Sequence, residues 1–583
     1  MKGNENTRIN IIFGFVILVT GLISYRLFVL SYINHSSYSR TAVAQRDRVS
    51  NVLARGNIYI QDPKKVANTE GKDSLFLAAT NKKFALVQVN PSMVDKDKLD
   101  ESAQKLADIL MLDKERVLKL ISTDGGYYKV VQRRLTNDQA EKIKSLGIKG
   151  ISTALEMDRY YPGGSLAADV LGFLGYGQSG RIGQYGIESK YDEQLAVGSV
   201  TVDQEVSAES SYLDSVKKWF VKDDSKQKIV SRPSDIILTI DKNIQDYVED
   251  RLINLLKKYE AEKGTIIVQD PNTGKILAMT DMPTFDPNKY SESKTSLFLN
   301  SSTQEVFEPG SSFKSITMAA GLDLNKITPQ TSFTDTGSVN IAGYTIKNFS
   351  EKVFGVVNMS QVLEKSINTG VMHVESLMGD ENFLNYVINM GFGQLTGVDL
   401  PGEVHGDITN LYSGRKINFL TASFGQGIAV TPIQLVNAYS TIANGGKLMK
   451  PYIVEKIIKE GGTEIITKPE IVGIPITEKT ATKLKAMLVS VVDVGFDKAR
   501  IKGYDIAGKT GTAQISDSKG GYTENQFIHD FMGFAPAYDA KFVILIKIDK
   551  PKGVTFASDS LSSTYREIAN FLLNYYNIPP TRK

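Results

Sequence analysis

The chain predicts an α+β fold in which helices are segregated around an antiparallel sheet. The first observation is a hairpin signal: Gly264-Thr265-Ile266-Ile267-Val268-Gln269-Asp270 and Gly274-Lys275-Ile276-Leu277-Ala278-Met279 are two apolar runs joined by Pro271-Asn272-Thr273. The second is a set of three further strands expected at residues 504–515, 530–535 and 541–548. The third is helical patterning between these groups, through the regions of Ser311 and Ser366, with a closing helix over 563–575.

Other elements precede this unit. Residues 11–30 are apolar except for Thr20, Ser24, Tyr25 and Arg26, and about 20 helical residues span a hydrocarbon core of roughly 30 Å. The bulky run Tyr25-Arg26-Leu27-Phe28-Val29-Leu30 offers no small-residue cleavage point, so an uncleaved anchor over 11–33 behind a short tail, 1–10, is expected. Flanking charge leaves its orientation open, because Lys2 and Arg8 precede it while Arg26, Arg40, Arg46 and Arg48 follow. Residues 34–235 alternate short apolar runs such as Phe84-Ala85-Leu86-Val87-Gln88-Val89 with polar turns, and carry helical stretches at 99–111 and 137–146. This reads as an elongated mixed module. The charged stretch 212–233 holds the only tryptophan, Trp219, and reads as a surface loop or a partner-docking loop. The sheet-and-helix unit then fills 236–583.

Composition narrows the classes of function. At 583 residues the chain has room for two or three domains, and 42% hydrophobic with 23% charged residues is ordinary for globular protein. A net charge of +3 without a long basic stripe argues against nucleic acid as a partner. Zero cysteines exclude disulfides, thiol catalysis and cysteine-based zinc sites. The four histidines, His35, His373, His405 and His529, are too scattered in sequence for a triad or a metal site, so neither metal nor cofactor is expected.

Three short motifs carry chemistry: Ser311-Ser312-Phe313-Lys314, Ser366-Ile367-Asn368 and Lys509-Thr510-Gly511-Thr512. The pattern S-x-x-K recurs at Ser215/Lys218, Ser225/Lys228, Ser291/Lys294 and Ser516/Lys519, and S-x-N at Ser338/Asn340. Only the Ser311 copy follows the breaker pair Pro309-Gly310 and opens an apolar helix. On a helix, that spacing puts Ser311 and Lys314 on one face, where the amine can take the hydroxyl proton if burial and a nearby cation keep it partly neutral.

In this order, with the flanks Phe307-Glu308-Pro309-Gly310, Ser423-Phe424-Gly425-Gln426-Gly427, Val430-Thr431-Pro432 and Phe531-Met532-Gly533-Phe534-Ala535-Pro536, the chain resembles the class B penicillin-binding proteins. These are monofunctional peptidoglycan transpeptidases. Arg55-Gly56, Arg159-Tyr160-Tyr161-Pro162 and Gly186-Ile187-Glu188 extend the resemblance over most of the chain.

The resemblance implies a transpeptidase domain over 236–583 on a non-catalytic pedestal over 34–235. It implies that Ser311 attacks a D-Ala-D-Ala stem, that Lys314 is its base, that Ser366 relays a proton and that Asn368 holds Lys314 and the substrate amide. Lys509 would supply positive potential, Thr510 and Thr512 would bind the substrate carboxylate, and Gly511 would admit the substrate backbone. The N–H groups of Ser311 and Thr512 would form the oxyanion hole. Implied partners are peptidoglycan stem peptides, β-lactam antibiotics, the membrane, a glycan polymerase of the SEDS class and other division proteins. The implied location is the plasma membrane, single-pass, with the catalytic domain outside. The motif Lys509-Thr510-Gly511 and the single proline before Gly310 favour a septal over an elongation role. A D,D-carboxypeptidase or β-lactamase, and a β-lactam sensor or scaffold without turnover, remain as alternatives; Glu403 would be a deacylating residue in the former.

Overall fold

The computed structural model describes residues 13–25 except 16 and 22, then 55–63, 74–122, 129–177, 180–196, 233–516 except 342 and 496, and 521–582. Residues 13–15, 17–21 and 23–25 are helical, and the rest of the expected 11–33 anchor lies outside the described residues. Among the described residues no helix is long and apolar enough to cross a membrane. Trp219, Ser215/Lys218 and Ser225/Lys228 also lie outside them.

The chain divides into two compact units, a smaller one containing residues 81–159 and a larger one containing 55–80 and 160–583. In the smaller unit, helices Leu99–Leu110, Lys114–Ser122 and Asn137–Ser145 close a core of Val87, Val89, Leu106, Val117, Val131, Leu135 and Ile143. Thr136 and Gln139 cap the third helix reciprocally, satisfying two backbone donors that the helix leaves open.

The larger unit is built on helix α1 (Lys242–Tyr259), strands β1 (Lys263–Gln269) and β2 (Ile276–Met282), helices α2 (Lys314–Asp323), α3 (Met359–Glu364), α4 (Asn368–Met378) and α5 (Pro432–Ala443), strands β3 (Ala507–Ser516), β4 (Tyr522–Ala535) and β5 (Phe542–Asp549), and helix α7, preceded by α6 (Glu478–Ser490) and spanning Ala557–Tyr575. The strands form one antiparallel sheet in the order β3-β4-β5-β1-β2. Alternation along the strands sends Val268, Phe531, Ile544 and Ile546 against α1 and α7, and Ile267, Met279, Met532 and Leu545 against α2, α5 and α6. β5 is buried at all eight positions because helices cover both faces, which is why Phe542-Val543-Ile544-Leu545 reads as a continuous apolar run. α2 is buried from Lys314 to Leu322, so it forms the axis of the helical layer.

A second sheet in the same unit joins Ile58–Gln61 in parallel to Asp235–Asp241, which pairs antiparallel with Val454–Ile458. Behind it, the motifs around Arg55, Tyr161 and Glu188 converge: Arg55 Nε meets Glu188 Oε2 at 2.6 Å, and the Tyr161 hydroxyl donates to Glu188 Oε1 at 3.2 Å.

Candidate active site

The expected helix start at Ser311 resolves into two parts. Gly310–Phe313 form one 3-10 turn, and α2 begins at Lys314. The turn is wedged between β3 and the loop Ser423-Phe424-Gly425. Gly310 N donates to Gly425 O at 3.1 Å, and a Cβ on Gly425 would lie 2.2 Å from Gly310 O, so only glycine fits there. Ser311 is half-buried and lines a cleft of about 260 Å³.

Lys314 projects from the first turn of α2 and is fully buried. Its Nζ donates to Ser366 O at 2.6 Å, Asn368 Oδ1 at 2.7 Å and Ser366 Oγ at 3.1 Å. Ser366 and Asn368 lie between α3 and α4, and Ser366 adopts φ +54°, a left-handed conformation unusual for a side-chain-bearing residue. Such strain concentrates at functional sites. Asn368 Nδ2 donates to Lys347 O at 3.0 Å, which orients its oxygen toward Lys314.

Lys509 of β3 is also fully buried, and its Nζ donates to Ser366 Oγ at 3.1 Å. One hydroxyl thus bridges two lysine amines. Burial, with the repulsion of Lys509 added, lowers the Lys314 amine well below its ordinary range. Burial pushes Lys509 down to about 7, against the pull of Asp530.

Thr510 and Thr512 line the cleft, and Thr512 Oγ1 accepts the Ala557 N–H at the start of α7 at 3.1 Å. Gly511 also answers to a constraint that the sequence did not suggest. A Cβ there would lie 2.0 Å from Asp530 Oδ2 and 2.4 Å from Pro309 O, so the missing side chain makes room for the protein's own groups.

The remaining candidates fall elsewhere. His529 is buried on the α7 side of β4 between Ser560 Oγ at 2.8 Å and Thr555 O at 3.1 Å, and burial pushes it down to about 4, so it is neutral. His373 stacks on Phe333, and Glu403 accepts the N–H groups of Thr396 at 2.7 Å and Gly397 at 3.1 Å, a loop-fixing role. Ser338 and Asn340 belong to a peripheral hairpin.

Sequence reasoning missed the rim of the cleft: Phe349, Phe354, Phe527 and Phe556, with Lys352, Glu364 and Lys365. No local motif marks them. Phe349 and Phe556 meet edge to face at 5.0 Å from segments far apart in the chain. Asp530 was missed as well, although a carboxylate heading the apolar run Phe531-Met532-Gly533-Phe534 is a visible signal.

Fold and site together define a transpeptidase of the penicillin-binding type. Comparison with known proteins agrees. The penicillin binding protein transpeptidase domain matches residues 264–571, and the penicillin-binding protein dimerisation domain matches 54–229. The chain belongs to the class B penicillin-binding proteins. Stage V sporulation protein D of Bacillus subtilis is 33% identical over 483 residues, 82% of this chain and 73% of that protein. The probable peptidoglycan D,D-transpeptidase PenA of Neisseria meningitidis is 26% identical over 525 residues, covering 89% and 85%. Among solved structures, penicillin binding protein 3 of Mycobacterium tuberculosis superposes with a TM-score of 0.63 at 28% identity, over 73% of this chain and 92% of that one. It has also been solved with aztreonam and with ampicillin.

Proposed function

We propose that this peptidoglycan D,D-transpeptidase works by serine acyl transfer through Ser311. The observation that carries the reading is the convergence of Lys314 and Lys509 on Ser366 Oγ, beside Ser311 in one cleft. Ser311 Oγ attacks the carbonyl carbon of the penultimate D-alanine while its proton passes to Lys314. The developing oxyanion takes the N–H groups of Ser311 and Thr512, where one donor is typically worth roughly 3 kcal/mol. Ser366 passes a proton to the departing nitrogen, and the terminal D-alanine leaves with its carboxylate held by Thr510 and Thr512 near Lys509. An acceptor amine on a neighbouring stem then attacks the acyl-enzyme, gives up its proton to Lys314 and releases Ser311.

Lys314 must change partners for this. Three neutral acceptors surround its Nζ, and Ser311 Oγ is not among them. As an amine it keeps two of those bonds and turns its lone pair toward Ser311, a tightening expected when substrate fills an empty site. A β-lactam, as a D-Ala-D-Ala mimic, follows the same first step and stays attached. A fluorescent penicillin should therefore map to Ser311, and Ser311→Ala should lose all labelling while keeping its melting temperature. An adduct on Ser312 or Ser291 would refute the assignment.

The pedestal, 34–235, and an anchor over 11–33 would hold the domain outside the plasma membrane, where its substrate lies. Gly14 and Gly21 in the anchor permit close helix packing, which supports docking to a SEDS-class glycan polymerase in septal synthesis. An unrelated single-span anchor in place of 11–30 should keep penicillin labelling yet lose polymerase co-purification; full co-purification reduces the segment to a tether. The likeness to a protein named for stage V of sporulation supports a second reading, wall synthesis in spore formation. A fluorescent fusion distinguishes them by labelling vegetative septa or developing spores.

A further inference from the structure

Asp530 is a buried charge that acyl transfer, as described, leaves without a task. On β4 it pairs with Gly511 of β3 on one side and Lys547 of β5 on the other. The row continues through Thr265 of β1 to Asp281 of β2, so one polar line crosses all five strands on the face covered by α2 and α5. The Asp530 side chain is fully buried, and among the described residues neither carboxylate oxygen takes a hydrogen bond. An unsatisfied buried carboxylate is costly, and chains keep such groups where they are used. The glycine of Lys-Thr-Gly exists partly to admit it, with Oδ2 standing 2.0 Å from where a Gly511 Cβ would be.

Four groups face this carboxylate: Lys509 from β3, Lys547 from β5, Tyr439 from α5 and Ser312 from the nucleophile's turn. Lys547 already bonds Asp549. The Tyr439 hydroxyl donates to Ser312 O at 2.7 Å, and Ser312 Oγ donates to Pro309 O at 2.8 Å. Lys509, two residue pairs along the same strand ladder and so on the same face of the sheet, is the cation that Asp530 is left to balance.

We propose that Asp530 is a positioning residue for acyl transfer: its carboxylate keeps the shared proton of the lysine pair on Lys509 and thereby leaves Lys314 as the amine that deprotonates Ser311. This rests on the acyl-transfer reading. Lys314 and Lys509 both stand 3.1 Å from Ser366 Oγ, and two cations around one hydroxyl in a dry site do not both keep their charge. Distance to that hydroxyl does not by itself decide which lysine keeps the proton. An anion on the Lys509 side breaks the tie. The electrostatics agree: burial pushes Asp530 up to about 7, with the Ser312 hydroxyl, then Lys509 and Lys547, pulling it back, while the charged neighbour that acts on Lys314 is Lys509. The three groups titrate as a coupled set.

The test is the rate of acylation of the full-length protein in detergent by a fluorescent penicillin, from about pH 5.5 to about pH 10. The wild-type curve is bell-shaped, rising as Lys314 loses its proton and falling as Lys509 loses its own. In Asp530→Asn the remaining proton spreads onto Lys314, so the maximum falls at least about tenfold, and the alkaline limb moves down by about one pH unit or more. Asp530→Ser removes the charge with a smaller side chain and gives the same readout if the amide fails to fold. An alkaline limb at its wild-type position in the uncharged variants, at whatever rate, overturns the proposal, because a packing defect scales the curve without moving it. Wild-type protein that takes no label at Ser311 overturns the acyl-transfer reading itself, a different result from an unmoved curve.

Discussion

Arg55 and Lys314 each bury a cation in the larger unit, and their surroundings are opposites. Burial works against the Arg55 charge, but Glu188 and Asp192 outweigh it, at 2.6 Å and 2.7 Å, and its ordinary pKa is raised. Lys314 has three neutral acceptors, and the charged neighbour that shifts it is a second cation. The difference separates two uses of a buried charge. A matched ion is permanent and fixes how distant segments meet, here residues 55–57 with 186–192. A mismatched one is held near the point of losing its proton, which weakens the fold locally and readies the group for chemistry.

The contrast is broken most directly at Lys314. Lys314→Arg keeps a positive charge but cannot act as a base, so acylation by penicillin should fall at least about 100-fold in the folded fraction. Arginine supporting near-normal acylation would mean that the mismatch has no chemical use. At the matched site, Glu188→Gln leaves Arg55 with Asp192 as its remaining carboxylate partner, and denaturant unfolding should show a loss of about 1 to 3 kcal/mol while the folded fraction still labels at Ser311. A loss below about 1 kcal/mol would place Arg55 among ordinary surface ions.

The smallest effect sharpens the comparison through pH. Lys509 titrates near 7 in the fold, below its value of about 10.4 in an unfolded chain, so between those values the unfolded state binds more protons. The lysine contribution to stability must then grow as pH rises through that window and level off above it. Asp530, pushed up instead, acts in the lower window between about 4 and 7, where its contribution falls as pH rises. A melting temperature higher by roughly 2 °C at pH 9.5 than at pH 7.5 is expected, with a smaller rise in Lys509→Met, where Lys314 is the depressed lysine that remains. Equal slopes in the two proteins would refute it.

The sequence made legible what is local. The 263–282 hairpin, α4 and the apolar run of β5 follow from period and turn residues, and the three motifs announce themselves by order. It could not place Phe349 against Phe556, because their meeting depends on two loops brought together only by the finished sheet. Nor could it tell why Gly511 is glycine. The family resemblance implied an approaching substrate; strand pairing opposite Asp530 and the carbonyl of Pro309 supply a reason within the protein itself. The start of β4 was also placed late: the strand begins at Tyr522, in a polar stretch whose pairing with β3 overrides weak local propensity.

The wedge around Gly310 has an evolutionary reading. Backbone atoms press on the nucleophile's turn from the Gly425 side and from the Gly511 side, leaving no space for even a methyl group. Under the acyl-transfer proposal drug and stem peptide need the same turn, so lineages under antibiotic selection are expected to find the floor of the cleft closed to change. Heritable tolerance would have to be written in the aromatic rim, at Phe349, Phe354, Phe527 or Phe556, where a side chain can be exchanged without moving the backbone that carries Ser311.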